Sequence, residues 1–421
     1  MLILNKIKQE KLVFQNFSYL ALVDVFSLLV PFLSYPYLIK VIGSELYGLN
    51  ITAQALVAYF SIVVNYGFNS VSARYISINR DNNLELSKIM SAIMTIRFVL
   101  WFSCFIVYVV AIYLFTNSKN DFLLFLYSFS FSLDYLLFPQ FYFQGIEKMK
   151  YISLIKFVIK VVFLALIFVV IKDKSDYLLL PLINGIGCLI AGIFCFYIIY
   201  VNHALTFVKP TISTMKFYLK DATPIFLTDV VASIKDKWNY VLIGASVGTA
   251  EVVVYDIAAR LQGILARPMD LMITILFPRM AKNRNSRLFI KLGLGLTALT
   301  AIVYIVSNFF LEFIVGLLSN NTITNILPIR LYLFSIVILI ASKWIAMNLI
   351  VARGYNKYML YTMILTCIVY LLALCYAYYF NLLNSVLTFV LISLLSYMVE
   401  LVYRLFLTKK ILQNEKNPSC F

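Results

Sequence analysis

Apolar residues fill most of this chain in long segments that short polar stretches separate. A transmembrane helix needs about 20 mainly apolar residues, and twelve segments meet that requirement. They cover residues 17–39, 48–70, 89–115, 122–143, 152–171, 177–200, 223–246, 251–277, 292–318, 328–351, 359–380 and 385–407. The pattern therefore predicts an all-α integral membrane protein with twelve transmembrane helices.

The composition agrees with this prediction. Hydrophobic residues make up 62% of the 421 residues, against about 45–50% in soluble domains, and the mean hydropathy is +0.91. This composition lies far outside the range of soluble proteins.

The distribution of Lys and Arg predicts the orientation in the membrane. With the N-terminus placed inside, 22 of the 35 basic residues fall in segments on that side, and nine fall within spans. The other side carries only Lys40, Lys119, Lys172 and Lys174. Because cytoplasmic loops carry the excess of positive charge, both termini are predicted to be cytoplasmic. Anionic membrane lipids, and not nucleic acid, then account for the net charge of +16.

Little in the sequence suggests an enzyme. His203 is the only histidine, and the six cysteines show no CxxC spacing, so neither a His-based triad nor a metal cluster is predicted. The predicted outward loops are a handful of residues long. A membrane enzyme of glycan assembly, the least favoured alternative, would normally need a larger loop to hold its site.

An internal repeat predicts two lobes. A shift of 205 residues aligns Asp24 with Asp229 and Gly43 with Gly248, and six spans per repeat would give both halves the same orientation. The predicted organisation is a cytoplasmic tail (1–16), a six-helix bundle (17–200), a cytoplasmic inter-lobe loop (201–222), a second six-helix bundle (223–407) and a cytoplasmic tail (408–421).

Charged residues within the spans indicate a polar cavity. A basic side chain at the bilayer centre costs about 2.5–3.5 kcal/mol on insertion scales. At about 100° per residue, one face of span 251–277 carries Asp256, Arg260, Gly263, Arg267 and Asp270. The alternative is that these are ordinary helix-stabilising pairs, because Asp256 and Arg260 are spaced i, i+4.

Two sets of candidate site residues follow. Clustered Arg and Lys suit an anionic substrate such as a phosphate, and the acidic residues are candidates for coupling to an H⁺ or Na⁺ gradient. The predicted lumen cations are Arg260, Arg267, Lys237, Lys343, Arg97 and Lys160, and the predicted ion-coupling residues are Asp24, Asp229, Asp236, Asp256 and Asp270. For Arg97, near a span end, snorkelling to the interface is the alternative.

The stretch from Asn16 to Asn82 carries a family resemblance. It is similar to the N-terminal part of the Wzx-type O-antigen flippases, polysaccharide transporters of the MATE-like (MOP) superfamily. The motifs that carry the resemblance are Pro36-Tyr37-Leu38, Gly43-x-Glu45-x-Tyr47-Gly48, Asn65-Tyr66-Gly67-Phe68 and Ile76-Ser77-Ile78-Asn79-Arg80.

The resemblance implies a flippase of the bacterial inner membrane. Such a protein moves an undecaprenyl-pyrophosphate-linked oligosaccharide to the periplasmic leaflet for O-antigen (lipopolysaccharide) or capsule biosynthesis, by alternating access between two six-helix bundles. A glycan polymerase and a chain-length regulator are the implied partners. The sequence departs from the family pattern at Lys235-Asp236-Lys237 and at Arg260.

A cation-coupled multidrug exporter of the same fold is the alternative. Such an exporter would be expected to carry mainly acidic residues in its lumen, whereas basic residues predominate in these spans.

Overall fold

The computed structural model describes residues 30–116, 118–283 and 285–416, and every regular element within these ranges is helical. The α-helices are α1 (Val30–Ile42), α2 (Ser44–Asn65), α3 (Phe68–Ile78), α4 (Asn83–Phe115), α5 (Lys119–Ser128), α6 (Leu133–Leu137), α7 (Gln140–Gly145), α8 (Met149–Val170), α9 (Leu180–Tyr197), α10 (Ile212–Ser246), α11 (Thr249–Asn283), α12 (Ser286–Ser319), α13 (Leu327–Ile345), α14 (Asn356–Tyr379) and α15 (Val386–Lys416). Short 3₁₀ segments occur at Phe129–Ser132 and Lys174–Leu179, and wider π turns at Ile198–Asn202 and Ala346–Val351.

Nine helical stretches of the described residues are long and apolar enough to cross a membrane. They are Ser44–Ile78, Asn83–Leu114, Lys119–Gly145, Met149–Val170, Lys174–Asn202, Ser286–Ser319, Leu327–Val351, Lys357–Tyr379 and Val386–Gln413. Each overlaps one predicted span. The prediction of an all-helical, multi-pass membrane protein is confirmed.

The three remaining predicted spans differ from these nine. Only the end of span 17–39 lies within the described residues, as part of α1. The other two lie in α10 and α11, each of 35 residues and therefore about 52 Å long at 1.5 Å per residue. Both exceed the roughly 30 Å hydrocarbon core, but their charged residues make them less apolar than the nine. The total of twelve spans and the orientation of the termini stay predictions.

Two compact units divide the chain, and their boundary falls between Val230 and Val231, inside α10. Residues 212–222, predicted as part of a loop, form the first turns of this helix. This part of α10 packs within the N-terminal unit: Asp221 pairs with Arg74 at 2.8 Å. The end of the predicted inter-lobe loop is thus helical. The basic residues Lys216 and Lys220 interrupt the apolar pattern there, so the pattern alone predicted a loop.

In the C-terminal unit, α13 is the central helix. It packs against α11, α12 and α15, and most of its side chains are buried. The predicted cytoplasmic tail from residue 408 continues α15 up to Lys416.

Gly43 and Gly248, which the repeat pairs, occupy comparable turns. Each directly precedes a helix, α2 or α11, and each has a positive φ, 84° and 137° respectively. Because a Cβ atom disfavours this backbone conformation, the turn explains why glycine stands at both positions.

Candidate functional site

The C-terminal unit contains a cavity of about 870 Å³ that five helices, α10, α11, α13, α14 and α15, surround together with the π turn after α13. This volume lies in the roughly 300–1,000 Å³ range of small-molecule sites. The lining residues are Val231, Lys237, Tyr240, Asp256, Ala259, Arg260, Gln262, Asp270, Ile273, Thr274, Tyr332, Leu339, Lys343, Ala346, Met347, Met359, Met363, Thr366, Cys367, Tyr397, Glu400 and Arg404.

Seven of these residues carry a charge. The basic ones are Lys237, Arg260, Lys343 and Arg404, and the acidic ones are Asp256, Asp270 and Glu400. Five of the seven were predicted from the sequence, which therefore identified most of the charged lining. The formal excess is one positive charge, so the cavity is polar without being strongly cationic before a ligand enters.

The first ion pair lies within α11. Arg260 Nε donates to Asp256 Oδ2 at 2.7 Å. The Asp256 side chain is almost fully buried, at 7% exposure, whereas that of Arg260 is 39% exposed. The pair has the i, i+4 spacing noted in the sequence, and it lines the cavity as well. The helix-stabilising and cavity-lining interpretations therefore apply together.

The second ion pair joins two helices. Lys343 Nζ on α13 donates to both carboxylate oxygens of Asp270 on α11, at 2.9 and 3.0 Å. Because the partners are 73 positions apart in the chain, only the packing of α13 on α11 brings them together.

Arg404 and Glu400 on α15 form the third pair, with 2.6 Å between Arg404 Nη1 and Glu400 Oε1. Neither residue was named as a candidate site residue from the sequence. Both lie inside the candidate span Val386–Gln413 and line the cavity. The available signal was an acid and a base spaced i, i+4 inside an apolar segment, since charges within spans are rare, face the interior or a cavity, and pair with each other.

A tyrosine cluster forms one wall of the cavity. The Tyr240 and Tyr332 rings each meet the Tyr255 ring edge to face, with 5.1 Å between centroids. Behind them the buried Asn239 donates to Tyr255 Oη at 2.8 Å and accepts from Tyr370 Oη at 2.6 Å. These bonds fix the ring orientations. Lys237 Nζ lies 5.6 Å from the centroid of the Tyr240 ring.

Part of the cavity lining is apolar and includes Met347, Met359 and Met363. Methionine is unbranched and flexible, so such a surface adapts to ligands of different shape. The cavity thus combines charged groups with an adaptable apolar surface.

The other predicted site residues lie elsewhere. Arg267 is on α11 but does not line the cavity. Arg97, Lys160 and Asp229 belong to the N-terminal unit. Asp24 lies outside the described residues, and the Asp236 side chain does too, although its backbone is part of α10.

Arg97 is fully buried in the N-terminal unit. Its guanidinium donates to Asn65 Oδ1 at 3.0 Å, to Asn69 Oδ1 at 2.9 Å and to the Tyr135 carbonyl at 3.1 Å. It also lies over the Phe141 ring, with Cζ 4.8 Å from the centroid. These contacts favour a structural role for Arg97 over snorkelling to the interface.

Asp134 is a carboxylate of the same unit that sequence reasoning passed over. The charges of Lys156, Lys160 and Arg97 all act on it. Lys160 is therefore one member of a second charged group, which lies in the N-terminal unit and apart from the cavity lining.

His203 lies just beyond a candidate span and has two partners. Tyr142 Oη is 2.9 Å from Nδ1, and Lys148 Nζ is 3.0 Å from Nε2. An ammonium can only donate, so Nε2 accepts and Nδ1 carries the proton. Partial burial and the Lys148 charge lower the pKa of His203.

Among the described residues, no three His, Cys, Asp or Glu side chains are grouped so as to hold a metal ion.

Comparison with solved structures identifies the fold. The chain resembles a multidrug resistance MATE family transporter of the MOP superfamily in an inward-facing conformation, with a TM-score of 0.67 and 15% identity over 91% of this chain and 99% of the other. It also resembles a MOP superfamily transporter from Pyrococcus furiosus Vc1 (TM-score 0.57, 14% identity, 96% and 94% covered), whose binding pocket is described as reversed in polarity. The fold is therefore MATE-like.

Sequence comparison finds two relatives named "Putative O-antigen transporter". The protein of Escherichia coli (strain K12) is 24% identical over 270 residues, 64% of this chain and 65% of its own length, which is slightly less than two thirds. The protein of Shigella dysenteriae is 28% identical over 276 residues, 64% of this chain and 67% of its own length. The profile of a family described as "Polysaccharide biosynthesis protein" matches residues 13–284, more than half of the chain. The chain belongs to this polysaccharide biosynthesis protein family.

Proposed function

We propose that the protein is a flippase that moves undecaprenyl-pyrophosphate-linked oligosaccharide repeat units across the bacterial inner membrane, for O-antigen or capsule biosynthesis. The observation that carries the proposal is the charged cavity of the C-terminal unit, in a chain of the polysaccharide biosynthesis family with a MATE-like fold. Transport, and not catalysis, is the activity that this combination supports.

The charged part of the cavity suits the pyrophosphate and any acidic sugar. Arg260 and Lys343 each hold a carboxylate of the protein at hydrogen-bonding distance. An entering phosphate group would exchange with that carboxylate, since oxyanions of both kinds accept the same charge-assisted hydrogen bonds. The tyrosine wall would pack against sugar rings, and the lipid tail would stay in the bilayer.

The same exchange suggests how transport is coupled to an ion gradient. When an anion takes the cation partner of Asp256 or Asp270, the released carboxylate becomes available to bind H⁺ or Na⁺. Asp256→Asn and Asp270→Asn are then expected to make flux in proteoliposomes insensitive to an imposed pH or Na⁺ gradient. If neither a pH gradient nor a Na⁺ gradient changes the flux through the unsubstituted protein, this coupling is contradicted.

Surface polysaccharide of a deletion strain tests the proposed function. Complementation with the unsubstituted gene is expected to restore the polysaccharide, and the Arg260→Gln/Lys343→Gln double variant to restore about a tenth or less, the scale of one or more lost charge-assisted hydrogen bonds. Lys291→Gln is the control, because Lys291 is exposed on α12, which does not line the cavity. Membrane levels of each variant are measured by immunoblotting.

The drug-exporter alternative makes a different prediction for the same strain. A deletion that leaves surface polysaccharide intact and raises drug sensitivity would favour an exporter and refute the flippase.

Loss of polymerised glycan, with single repeat units present in the periplasm, would point instead to a polymerase. The polymerase and the chain-length regulator are proposed partners of the flippase.

A further inference from the structure

We propose that Arg404 is a further anion-binding residue of the cavity, and that it binds an oxyanion of the transported molecule, either phosphate or sugar carboxylate. This proposal rests on the proposed function. Arg404 lies on α15, whereas the sequence-predicted anion-binding residues that line the cavity lie on α10, α11 and α13. It would give the substrate a separate point of attachment.

Burial and two polar partners hold the Arg404 guanidinium in place. The residue is 4% exposed. Its Nη1 donates to Ser342 Oγ at 2.7 Å and lies 2.6 Å from Glu400 Oε1. Ser342 Oγ in turn lies 3.2 Å from Glu400 Oε1, so the three side chains form a closed triangle between α13 and α15. A cation that is fixed in this way loses little conformational entropy when it binds an anion.

One donor of the Arg404 guanidinium is unsatisfied. Arg404 Nε is buried and has no hydrogen-bond partner among the described residues. Buried donors are almost always satisfied, and an exception requires an explanation such as a ligand. Of the residues that line the cavity, Arg404 is the one whose side chain carries such a donor.

Arg97 provides an internal comparison. Its Nε is also buried without a partner, but it belongs to the N-terminal unit and does not line the cavity. The other guanidinium nitrogens of Arg97 bind two amide oxygens and a carbonyl. Arg404 instead has a carboxylate partner, Glu400, with which an entering oxyanion can exchange. Among the described residues, Arg404 therefore combines an unsatisfied buried donor with a position in the cavity lining.

Guanidinium geometry defines the class of ligand. Its planar fork of donors matches the oxygens of phosphate and of carboxylate, and it stays charged when buried. The pyrophosphate linker and an acidic sugar would supply these two groups. Inorganic pyrophosphate and glucuronate are suitable separate probes for them.

Cys367 offers a direct reporter because its thiol side chain lines the same cavity. Cys104, Cys188 and Cys195 are buried, and Cys375→Ser with Cys420→Ser removes the other two thiols. The experiment measures the rate at which a small maleimide alkylates Cys367 in the purified full chain, with increasing pyrophosphate or glucuronate. The concentration that halves the rate reports the affinity for each anion.

Arg404→Gln is expected to weaken protection by one of the two anions about tenfold or more, the scale of a lost charge-assisted hydrogen bond. Arg404→Lys should keep part of the affinity, since it retains the charge without the fork. The matched control is Lys410→Gln, an exposed position on the same helix, which should leave protection unchanged. The anion whose protection is lost identifies the group that Arg404 binds.

Glu400→Gln separates anion binding from a purely structural role. It removes the carboxylate that competes for Arg404, so protection by the anion should occur at a severalfold lower concentration. If Arg404 serves only to hold α15 through its ion pair, Glu400→Gln should weaken protection or leave it unchanged. Thermal unfolding in detergent without ligand shows whether each variant is folded.

The proposal is overturned if Arg404→Gln is folded and is protected like the unsubstituted protein, or if neither anion protects Cys367 at all. Surface polysaccharide in the complemented deletion strain reports on the proposed function independently. Restoration of polysaccharide by Arg404→Gln at normal levels would refute the role of Arg404 and leave the flippase in place.

Discussion

Arg97 shows what a single buried cation does for the fold of the N-terminal unit. Its guanidinium satisfies side-chain oxygens from the α2–α3 region and the carbonyl of Tyr135 on α6. The sequence suggested either a lumen cation or an interfacial one. The hydrogen bonds favour a structural link between helices, since Nη1 and Nη2 of Arg97 already have acceptors within the protein.

Arg97→Gln is expected to lower the free energy of unfolding by about 2 kcal/mol or more, because buried acceptors lose a charged donor. Thermal unfolding of the purified protein in detergent measures the effect. Arg74→Gln is the control in the same unit: its ion pair with Asp221 is exposed and should contribute at most about 1 kcal/mol. Equal losses in the two variants would contradict a structural role for Arg97.

His203 predicts a pH dependence of stability. Its pKa in the folded protein is lowered below the ordinary 6.5 by burial and by Lys148, so the unfolded chain binds the proton more readily. The contribution of neutral His203 to stability is therefore fully present above about pH 6.5. It is lost as the pH falls through the lowered pKa of His203 in the folded protein.

Unfolding in detergent between pH 7.5 and 5 tests this prediction. The melting temperature of the unsubstituted protein should fall on acidification, and His203→Gln should flatten that change. Lys148→Gln should reduce it too, because it removes the charge that disfavours protonation. A variant without His203 that keeps the full acid sensitivity would refute the assignment.

At the scale of elements, the short helices α3 and α7 of the N-terminal unit pack closely against each other. A Cβ atom added at Gly145, at the end of α7, would lie 2.6 Å from Ile76 Cγ2 and 2.8 Å from the Ala73 carbonyl oxygen on α3. Backbone atoms on the opposing helix leave no room for a methyl group. The contact therefore depends on the absence of a side chain.

Gly145→Ala is expected to destabilise the protein by about 1–3 kcal/mol through overpacking. Gly295→Ala is the matched control, because a Cβ there meets no atom within 4 Å. In the interior of α12 this change should be neutral or stabilising by about 0.5–1 kcal/mol. Melting temperatures in detergent compare the two variants, and a stable Gly145→Ala protein would refute the close approach.

At the scale of the whole molecule, the prediction that both termini are cytoplasmic follows from the distribution of Lys and Arg. Fusion of green fluorescent protein to the C-terminus should give a fluorescent protein, and fusion of alkaline phosphatase there should be inactive. Alkaline phosphatase inserted after Lys174, on the predicted outer side, should be active. The reverse pattern would invert the topology and the direction of the proposed transport.

The sequence by itself determined the membrane class, nine of the predicted spans and five of the seven charged residues of the cavity lining. These features depend on local properties: apolar segments partition into the bilayer according to their own composition, and charges within them must face polar surroundings. The family resemblance in the first fifth of the chain was equally local, and the match over residues 13–284 confirmed it.

Tertiary structure alone decided which charges act together. Lys343 meets Asp270, and Arg404 meets Ser342, across helix contacts between residues 73 and 62 positions apart, and no periodicity within one helix encodes such distances. Packing likewise placed Arg97 among buried acceptors and left Arg267 outside the cavity lining. Helix–helix contacts and not composition therefore determined the partners of each charge, because a side chain binds the groups that neighbouring helices bring within about 3 Å of it.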